Sequence, residues 1–304
     1  MKKIEFEQVS RWMHRNAREL DLKLWNCLFE NGEAIEVADA LLAYQNEDGG
    51  FGHGLDPDNW NENSLSYAVS YAIETLDMVG FHDKNHPVIQ GICKYLNETG
   101  MDNWNFTVPT NEGYPHASFY NHEETYNKVE RIGVVLSLST FVIRYMQDTL
   151  LYQEVQKSLE SWISLIYQDK LGDMGPSGYI RLVEAMKEKE IKDFDYEKLQ
   201  NRLIEIVNQT MQKDEKQWEQ YGYRPSDFIK SKDSIFIEGN MEAIEKECEY
   251  LIRTLPKNDV WPVSWCWFDN ANRYPREETI SLHKAKARKC IERMIFLREF
   301  GFLR

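Results

Sequence analysis

The feature that most constrains the fold is the repeated alternation of helical runs with turns that contain glycine or tryptophan. Apolar residues recur at three- and four-residue steps through residues 33–45 and again through residues 64–80, which is the spacing of one buried helix face. Similar spacing predicts further helices near residues 6–29, 86–99, 124–147, 152–168, 177–190, 195–213, 240–253 and 277–299. Only residues 234–238 and 260–268 have the composition of strands. The sequence therefore predicts an all-α fold.

The turns between these runs recur at irregular intervals of roughly 40–65 residues, about the length of a helical hairpin with its loop. Five or six hairpins therefore fill the 304 residues, and because no linker rich in proline or serine divides the chain, we predict one domain over residues 1–304. The repeats are uneven and aromatic residues make up 13% of the chain. A closed ring fits these features better than an open solenoid, which has regular repeats. The predicted fold is an (α/α)5–6 toroid whose inner helices surround a cavity.

The overall charge and the apolar segments argue against several function classes. A net charge of −14 disfavours nucleic acid and anionic membranes as partners, because phosphates would be repelled. The basic run at residues 283–293 has the spacing of the solvated face of a last helix. The longest apolar run, residues 132–143, is too short to span a bilayer, and the first residues contain no apolar signal core. We therefore expect a cytoplasmic protein without a membrane span.

The segment LLAYQNEDGGFG, residues 41–52, followed by the helical run SLSYAVSYAIETLDMVG, resembles the repeat of the terpenoid cyclase and protein prenyltransferase superfamily. In that repeat an outer helix ends in a turn with glutamine, Asp-Gly-Gly and an aromatic residue, and an inner helix follows. More narrowly, residues 15–80 look like a group of uncharacterised bacterial proteins with the prenyltransferase-like label. The resemblance implies an (α/α) toroid and an apolar or isoprenoid substrate.

Several motifs of that superfamily are missing, and this bears on metal binding. The chain has no Asp-Asp-x-x-Asp motif for magnesium-bound diphosphate, and DPDN at residues 56–59 is one residue short of the Asp-x-Asp-Asp proton donor. Five scattered cysteines without a CxxC pattern indicate reduced thiols, and they offer neither disulfides nor a zinc site. We therefore predict no bound metal and no cofactor. The alternative is one metal held by His53, Asp56, His116 and His122, if their loops converge.

The polar loop after the Gly-Gly turn carries the first candidate site. Its ionisable residues precede an inner helix, so we predict that the loop opens onto the main pocket. Two carboxylates two residues apart can hold a cation or can raise each other's pKa and keep one acid neutral. We predict Asp56 and Asp58 as catalytic residues, and His53, Asn59 and Trp60 as substrate-binding residues. The alternative is that the carboxylates cap the helix and face solvent.

The equivalent turn of the next hairpin, residues 112–126, carries the second candidate site. We predict His116 as a catalytic residue and Tyr120 as a substrate-binding residue, because an imidazole and a phenol at a cavity can relay protons or orient a polar substrate. His122 and Glu123 lie in the same turn. The alternative is that these side chains serve only to hold the turn.

Three tryptophans near the carboxyl end form the third candidate site. If residues 258–270 are extended, Val263, Trp265 and Trp267 lie on one side of the chain. Together with Trp261, such rings can bound an apolar cavity, stack on sugars or stabilise a carbocation. We predict Trp261, Trp265 and Trp267 as substrate-binding residues, with core packing as the alternative.

Three function classes fit these features. The first is an enzyme that acts on an apolar or isoprenoid substrate in the central cavity, with an aspartate as general acid. The second is a carbohydrate-active toroid enzyme, a glycosidase or lyase, with paired carboxylates as acid and base. The third is a non-catalytic protein that binds a small molecule or a partner, since fold alone does not fix function. A small-molecule ligand is expected in most of these cases, and the sequence points to no particular protein partner.

Overall fold

The structure is a computed structural model, and it describes residues 4–168 and 171–303. Helices make up 63% of the chain, and these ranges contain thirteen α-helices and no β-strand, so the predicted all-α class is confirmed. The two stretches with strand composition, 234–238 and 260–268, form turns and irregular backbone. No helix in the described ranges is long and apolar enough to cross a membrane.

The helices are distributed over two compact units, which we name unit 1 (Met1–Gly32 with Ile204–Arg304) and unit 2 (Glu33–Leu203). The one domain over residues 1–304 stays a prediction, as does closure of the ring. In chain order the helices are α1 (Phe6–Asn16), α2 (Glu19–Phe29), α3 (Ala34–Leu41), α4 (Ser66–Met78), α5 (Pro87–Thr99), α6 (Glu124–Tyr145), α7 (Leu150–Leu165), α8 (Gly175–Glu188), α9 (Tyr196–Thr210), α10 (Pro225–Phe228), α11 (Met241–Thr254), α12 (Asp269–Arg273) and α13 (Pro275–Glu299).

The long helix predicted over residues 6–29 is divided into α1 and α2 by two residues that are not helical. Between them, Ala17 and Arg18 adopt extended backbone angles. The guanidinium of Arg18 then bonds Asp21 Oδ2 in the first turn of α2, at 2.7 Å. The other predicted helices are present, with ends within a few residues of their predicted positions.

Three helices of unit 2, α4, α6 and α8, lie side by side and run in the same direction. Near the start of α6, Glu130 Oε2 accepts a hydrogen bond from the backbone N–H of Asp173, just before α8, at 2.9 Å. At the end of α6, Arg144 Nε donates to Glu188 Oε2, at the end of α8, also at 2.9 Å. The same guanidinium lies 3.3 Å from Asp77 Oδ2, near the end of α4. The carboxyl-terminal ends of the three helices therefore meet at one place.

The middle helix of the three, α6, is interior along most of its length. Every residue from Gly133 to Ile143 is buried, as the long apolar run in the sequence predicts. The first turn of α6 meets the first turn of α4 through Phe106, whose ring centroid lies 5.2 Å from that of Tyr67 and 5.9 Å from that of Tyr126. The first turns of α4 and α6 therefore lie close together, as their last turns do.

The close approach of α6 and α8 depends on two glycines. A side chain at Gly133 would overlap Met174, the residue before α8. A Cβ atom at Gly178 would lie 3.1 Å from Leu136 Cβ and 3.2 Å from the carbonyl oxygen of Gly133, which is tighter than ordinary contact. Glycine at both positions lets the two backbones pack directly against each other.

The basic run in α13 is not the solvated face that its spacing predicts. Arg288 and Arg293 are only 7% and 8% exposed, and Cys290 between them is fully buried. Arg288 Nε bonds Glu292 Oε1 at 3.2 Å, and Arg293 donates to the carbonyl oxygen of Pro262 at 3.1 Å. The cations are accommodated inside unit 1 because carboxylate and carbonyl oxygens replace water as their partners.

Unit 1 also buries one carboxylate completely, that of Glu247 in α11. Its two oxygens accept hydrogen bonds from the Oγ and the backbone N–H of Ser226, at 2.6 and 2.8 Å. Burial raises the pKa of Glu247 to about 7 against the opposing effect of the Ser226 hydrogen bond, and the charge of Asp227 adds to the rise. This carboxyl group therefore titrates near neutral pH inside the fold.

Gly133→Ala should destabilise the protein by about 1–3 kcal/mol, because the new methyl group overpacks the contact with Met174. Urea unfolding followed by circular dichroism measures the change. Glu160→Ala on the exposed face of α7 is the matched control, and its effect should stay within about 0.5 kcal/mol. A gain of about 1 kcal/mol for Gly133→Ala, as helix propensity alone predicts, would contradict the close packing.

Glu247→Gln should flatten the dependence of stability on pH. A carboxyl whose pKa is raised on folding stabilises the fold below its ordinary value of 4.5, and that contribution is lost as the pH rises through about 7. The stability difference between wild type and variant should therefore change by up to roughly 3 kcal/mol across this window. Urea unfolding at a series of pH values measures it, with the exposed Glu245→Gln as control. Parallel curves for wild type and Glu247→Gln would rule out the raised pKa.

Candidate functional sites at the two ends of one helix bundle

The Gly-Gly turn between α3 and α4 is held by its own polar residues. Gln45 Nε2 donates to the carbonyl oxygens of Gly49 and Val88, at 3.0 and 3.1 Å. Asp48 Oδ1 accepts a hydrogen bond from Ser64 Oγ at 2.7 Å. Gly49 has a φ of 86°, a conformation that glycine adopts without strain. These residues fix the connection that precedes the first candidate site.

The structure brings together Asp56 and Tyr120, which come from two different turns. Asp56 Oδ2 accepts a hydrogen bond from the Tyr120 hydroxyl at 2.6 Å, and Asp56 Oδ1 accepts one from the backbone N–H of Asp58 at 2.8 Å. The ring centroid of Tyr120 lies 5.4 Å from those of Tyr67 and Phe106. Burial, and then the charge of Asp56, raises the pKa of Tyr120 and of Tyr67 well above the usual range. Both phenols therefore keep their protons, and Tyr120 donates to Asp56.

The loop that carries Asp58 pairs with the loop that carries His116. Asn59 and His116 form an antiparallel bridge. The backbone N–H that follows His116 donates to the carbonyl oxygen of Asp58, and the N–H of Trp60 donates to the carbonyl oxygen that precedes His116, both at 2.9 Å. Asp58 and Asn59 are each 4% exposed. The residues predicted from the two turns are therefore neighbours in a packed loop pair.

The predicted histidines are held by separate partners. His116 is fully buried, with Nδ1 2.7 Å from the carbonyl oxygen of Tyr114 and Nε2 2.9 Å from Asn121 Oδ1. His53 is exposed, and its Nε2 lies 2.8 Å from Asn46 Oδ1. The catalytic role of His116 and the substrate contact of His53 stay predictions.

A shared metal site is not assembled from these side chains. His122 Nδ1 lies 3.2 Å from Thr107 Oγ1, so it has a different partner from His53 and His116. Among residues 4–168 and 171–303 there is no group of three or more histidines, cysteines, aspartates and glutamates that could hold a metal ion. All five cysteines are free thiols.

An asparagine cluster joins the two loops at their centre. Asn111 Oδ1 accepts hydrogen bonds from Asn59 Nδ2 at 3.2 Å and from Asn61 Nδ2 at 2.9 Å. Its Nδ2 donates to the carbonyl oxygen of Tyr120 at 3.0 Å. Sequence reasoning named Asn59 and missed Asn61 and Asn111, although the asparagine-rich segment at residues 59–63 was a signal for such a cluster.

The three predicted tryptophans belong to unit 1 and differ in exposure. Trp261 and Trp267 are buried, and Trp265 is half-buried. Trp261 Nε1 donates to the carbonyl oxygen of Leu251 at 2.9 Å, and the guanidinium of Arg293 lies 5.8 Å from its ring. Two of the three rings therefore pack in the core of unit 1. Whether any of the three contacts substrate stays a prediction.

A cavity of about 710 Å³ lies at the other end of the three parallel helices of unit 2. Nine of its ten lining residues have ionisable side chains, and none comes from residues 53–60. Asp77 lies near the end of α4, Arg144 and Tyr145 end α6, and Glu184 and Glu188 lie in the last turns of α8. The opening of the Asp56 loop onto a pocket stays a prediction.

Sequence reasoning missed every residue of this cavity, and the reason is spatial. Its side chains come from chain segments near residues 77–84, 144–147 and 181–189, which only the parallel packing brings together. A weak signal was present in α8, where Arg181, Glu184 and Glu188 recur at three- and four-residue steps and therefore share one helix face.

Ion pairs cross the cavity and link the three helices. Arg144 on α6 contacts Asp77 on α4 at 3.3 Å and Glu188 on α8 at 2.9 Å. Arg181 on α8 pairs with Glu74 on α4. Arg144 is favoured in the last turn of α6 because the carboxyl-terminal end of a helix carries partial negative charge.

The carboxyl groups of the cavity have different protonation tendencies. Burial raises the pKa of Asp77, and the nearby charge of Arg144 opposes that rise. Burial also raises the pKa of Glu184, where Arg144 opposes the rise and the charge of Asp77 adds to it. The side chain of Glu184 is exposed to the solvent of the cavity, which limits the size of this rise. At Glu188 burial is outweighed by Lys189 and Arg144, and the pKa is lowered.

The search among known proteins gave no relative from which a function can be transferred. No family model, no curated protein and no solved structure matches the chain. The function is therefore inferred from the geometry of the two ends of the bundle.

Asn111→Ala should lower the free energy of unfolding by about 1–3 kcal/mol, because the buried amide of Asn59 loses its acceptor and that of Asn61 keeps only Thr110 Oγ1. Thermal and urea unfolding measure the loss. Asn103→Ala is the matched control, since its side chain is exposed and donates one hydrogen bond to the carbonyl oxygen of Thr99. Equal, small effects of the two variants would show that the cluster does not hold the loops.

Proposed function

We propose that the protein is an acid–base enzyme that hydrolyses a glycosidic bond in a carbohydrate bound at the carboxyl-terminal ends of α4, α6 and α8. The observation that carries the proposal is the polar cavity of about 710 Å³ with its carboxyl groups. That volume falls within the roughly 300–1,000 Å³ of ordinary ligand pockets. A lining of charged side chains suits a hydroxyl-rich molecule, whereas an isoprenoid chain would leave those charges without partners.

In this proposal Glu184 is the general acid and Asp77 the general base. Burial raises the pKa of both carboxyl groups. The charge of Asp77 adds to the rise at Glu184, whereas Arg144, 3.3 Å from Asp77 Oδ2, opposes the rise at Asp77 and so favours its ionised form relative to that of Glu184. Glu184 gives its proton to the glycosidic oxygen as the bond from that oxygen to the anomeric carbon breaks. Asp77 takes a proton from the water whose oxygen bonds to the same carbon. Proton exchange with solvent then restores both groups.

The arrangement of unit 2 also supports the proposal that the helix pairs form an (α/α) toroid. The parallel helices α4, α6 and α8 fit the inner layer of such a ring, and α3, α5 and α7, which alternate with them along the chain, fit the outer layer. This is the fold that the resemblance to terpenoid cyclases and protein prenyltransferases implies.

A second candidate function keeps the apolar or isoprenoid substrate, with Asp56 as general acid. The observation that favours it is the aromatic group of Tyr67, Phe106 and Tyr120 beside that carboxylate, because aromatic faces stabilise a carbocation. This candidate predicts turnover of an isoprenyl diphosphate that Asp56→Asn abolishes and Glu184→Gln leaves unchanged.

Glu184→Gln should lower kcat for disaccharide hydrolysis by about 10²- to 10⁴-fold, because an amide cannot supply the proton. The loss should be much smaller for the matching nitrophenyl glycosides, since nitrophenolate leaves without protonation. Rates on a panel of neutral and acidic disaccharides and their nitrophenyl counterparts measure this difference.

Two further variants complete the experiment. Asp77→Asn should slow both substrate types, because water activation is needed for each. Glu160→Gln, an exposed carboxylate on α7 outside the cavity lining, should change neither rate. Equal losses on both substrate types for Glu184→Gln would remove it as the general acid, and no hydrolysis of any member of the panel would overturn the proposed function.

A further inference from the structure

The cavity is also lined by two rings, those of Tyr145 and His82, which have no role in the acid–base chemistry proposed above. The hydroxyl of Tyr145 lies 2.5 Å from His82 Nδ1. Tyr145 is the last residue of α6, and its ring packs against Phe141 of the same helix, with centroids 4.6 Å apart. His82 lies in the loop after α4, and both rings line the cavity. An ordered helix thus presents a hydroxyl group to an imidazole on a loop.

The direction of this hydrogen bond follows from the proton on Tyr145. Burial, and then the charge of Asp77, raises the pKa of Tyr145 to about 12, while the charge of Arg144 opposes the rise. The phenol therefore keeps its proton over the working pH range and donates it. A neutral imidazole that accepts at Nδ1 carries its own proton on Nε2. The geometry thus selects one of the two tautomers of His82.

We propose that His82 is a substrate-binding residue of this cavity and that Tyr145 is the residue that positions it. The phenol holds the imidazole in the tautomer with the proton on Nε2, and that N–H donates to an oxygen of the bound sugar. A sugar offers hydroxyl and ether oxygens as acceptors, which matches a fixed donor. This inference rests on the proposed glycoside hydrolysis.

The surroundings of His82 are consistent with this role. Asp77 on α4 lines the same cavity as His82, and Arg144 and Tyr145 reach it from the end of α6. Lys84 lies on the loop of His82 itself, and Glu184 and Glu188 approach from α8. The donor therefore lies beside the proposed base, where a substrate would have to be oriented.

Tyr145→Phe tests the inference because it keeps the ring on Phe141 and removes only the hydroxyl. The ring ¹⁵N shifts of His82 should show Nδ1 unprotonated and Nε2 protonated in the neutral wild type, and a shift toward a tautomer mixture in the variant. In kinetics on the best disaccharide, Tyr145→Phe should raise KM by about three- to tenfold with a small change in kcat. Tyr152→Phe is the matched control, since its hydroxyl lies on α7 and accepts from Gln156.

A double variant separates positioning from general damage. His82→Gln supplies an amide donor that does not depend on Tyr145, so adding Tyr145→Phe to it should change KM no further. Two results would overturn this inference while hydrolysis stands. One is a wild-type spectrum with the proton on Nδ1. The other is a double variant in which Tyr145→Phe raises KM as much in the His82→Gln background as it does in the wild type. A wild-type protein with the expected ring spectrum and no hydrolysis of any disaccharide would instead overturn the proposed function, and the sugar contact with it.

Discussion

The parallel alignment of α4, α6 and α8 is the constraint on which both polar regions of unit 2 depend. α6 and α8 keep one register along their length, from the hydrogen bond between Ser137 and Arg181 to the ion pair between Arg144 and Glu188. Two glycines permit this register, because their missing side chains leave room for direct backbone contact. Because the three helices are parallel, the loops that precede α4 and α6 lie at one end of the bundle, and the last turns of all three helices lie at the other. The close packing of α6 against α8 therefore determines which side chains meet at each end.

The two ends differ in how their carboxylates are satisfied. At the amino-terminal end both oxygens of Asp56 already accept hydrogen bonds from protein donors, one from a backbone N–H and one from Tyr120. At the carboxyl-terminal end no hydrogen bond or ion pair joins Glu184 to another described residue, and Arg144 is shared between two other carboxylates. A group that solvent reaches and that lacks a fixed partner can take one from a ligand. This contrast favours the carboxyl-terminal end as the place of reaction.

Local patterns in the sequence predicted the helices well, and long-range packing explains what they missed. The apolar run at residues 132–143 identified a buried helix because an interior helix is apolar on every side. The break between α1 and α2 was missed, because Ala17 and Arg18 are both compatible with a helix. The pairing of Asp56 with Tyr120 was predictable, since both residues were assigned to equivalent turns of successive hairpins. The cavity was not predictable, because ionisable residues at helix ends usually cap the helix or face solvent. Only their neighbours in the fold distinguish a site from these ordinary roles.

The central claim is that Asp77 and Glu184 form one acid–base pair in the cavity. Titration of selectively ¹³C-labelled glutamate carboxyl groups tests it without any substrate, with Glu184→Gln to assign the resonance. The account predicts that Glu184 titrates above its ordinary value of 4.5, and that Asp77→Asn moves this midpoint down because a neighbouring negative charge is removed. A midpoint at or below the ordinary value, or one that Asp77→Asn leaves unchanged, would contradict it.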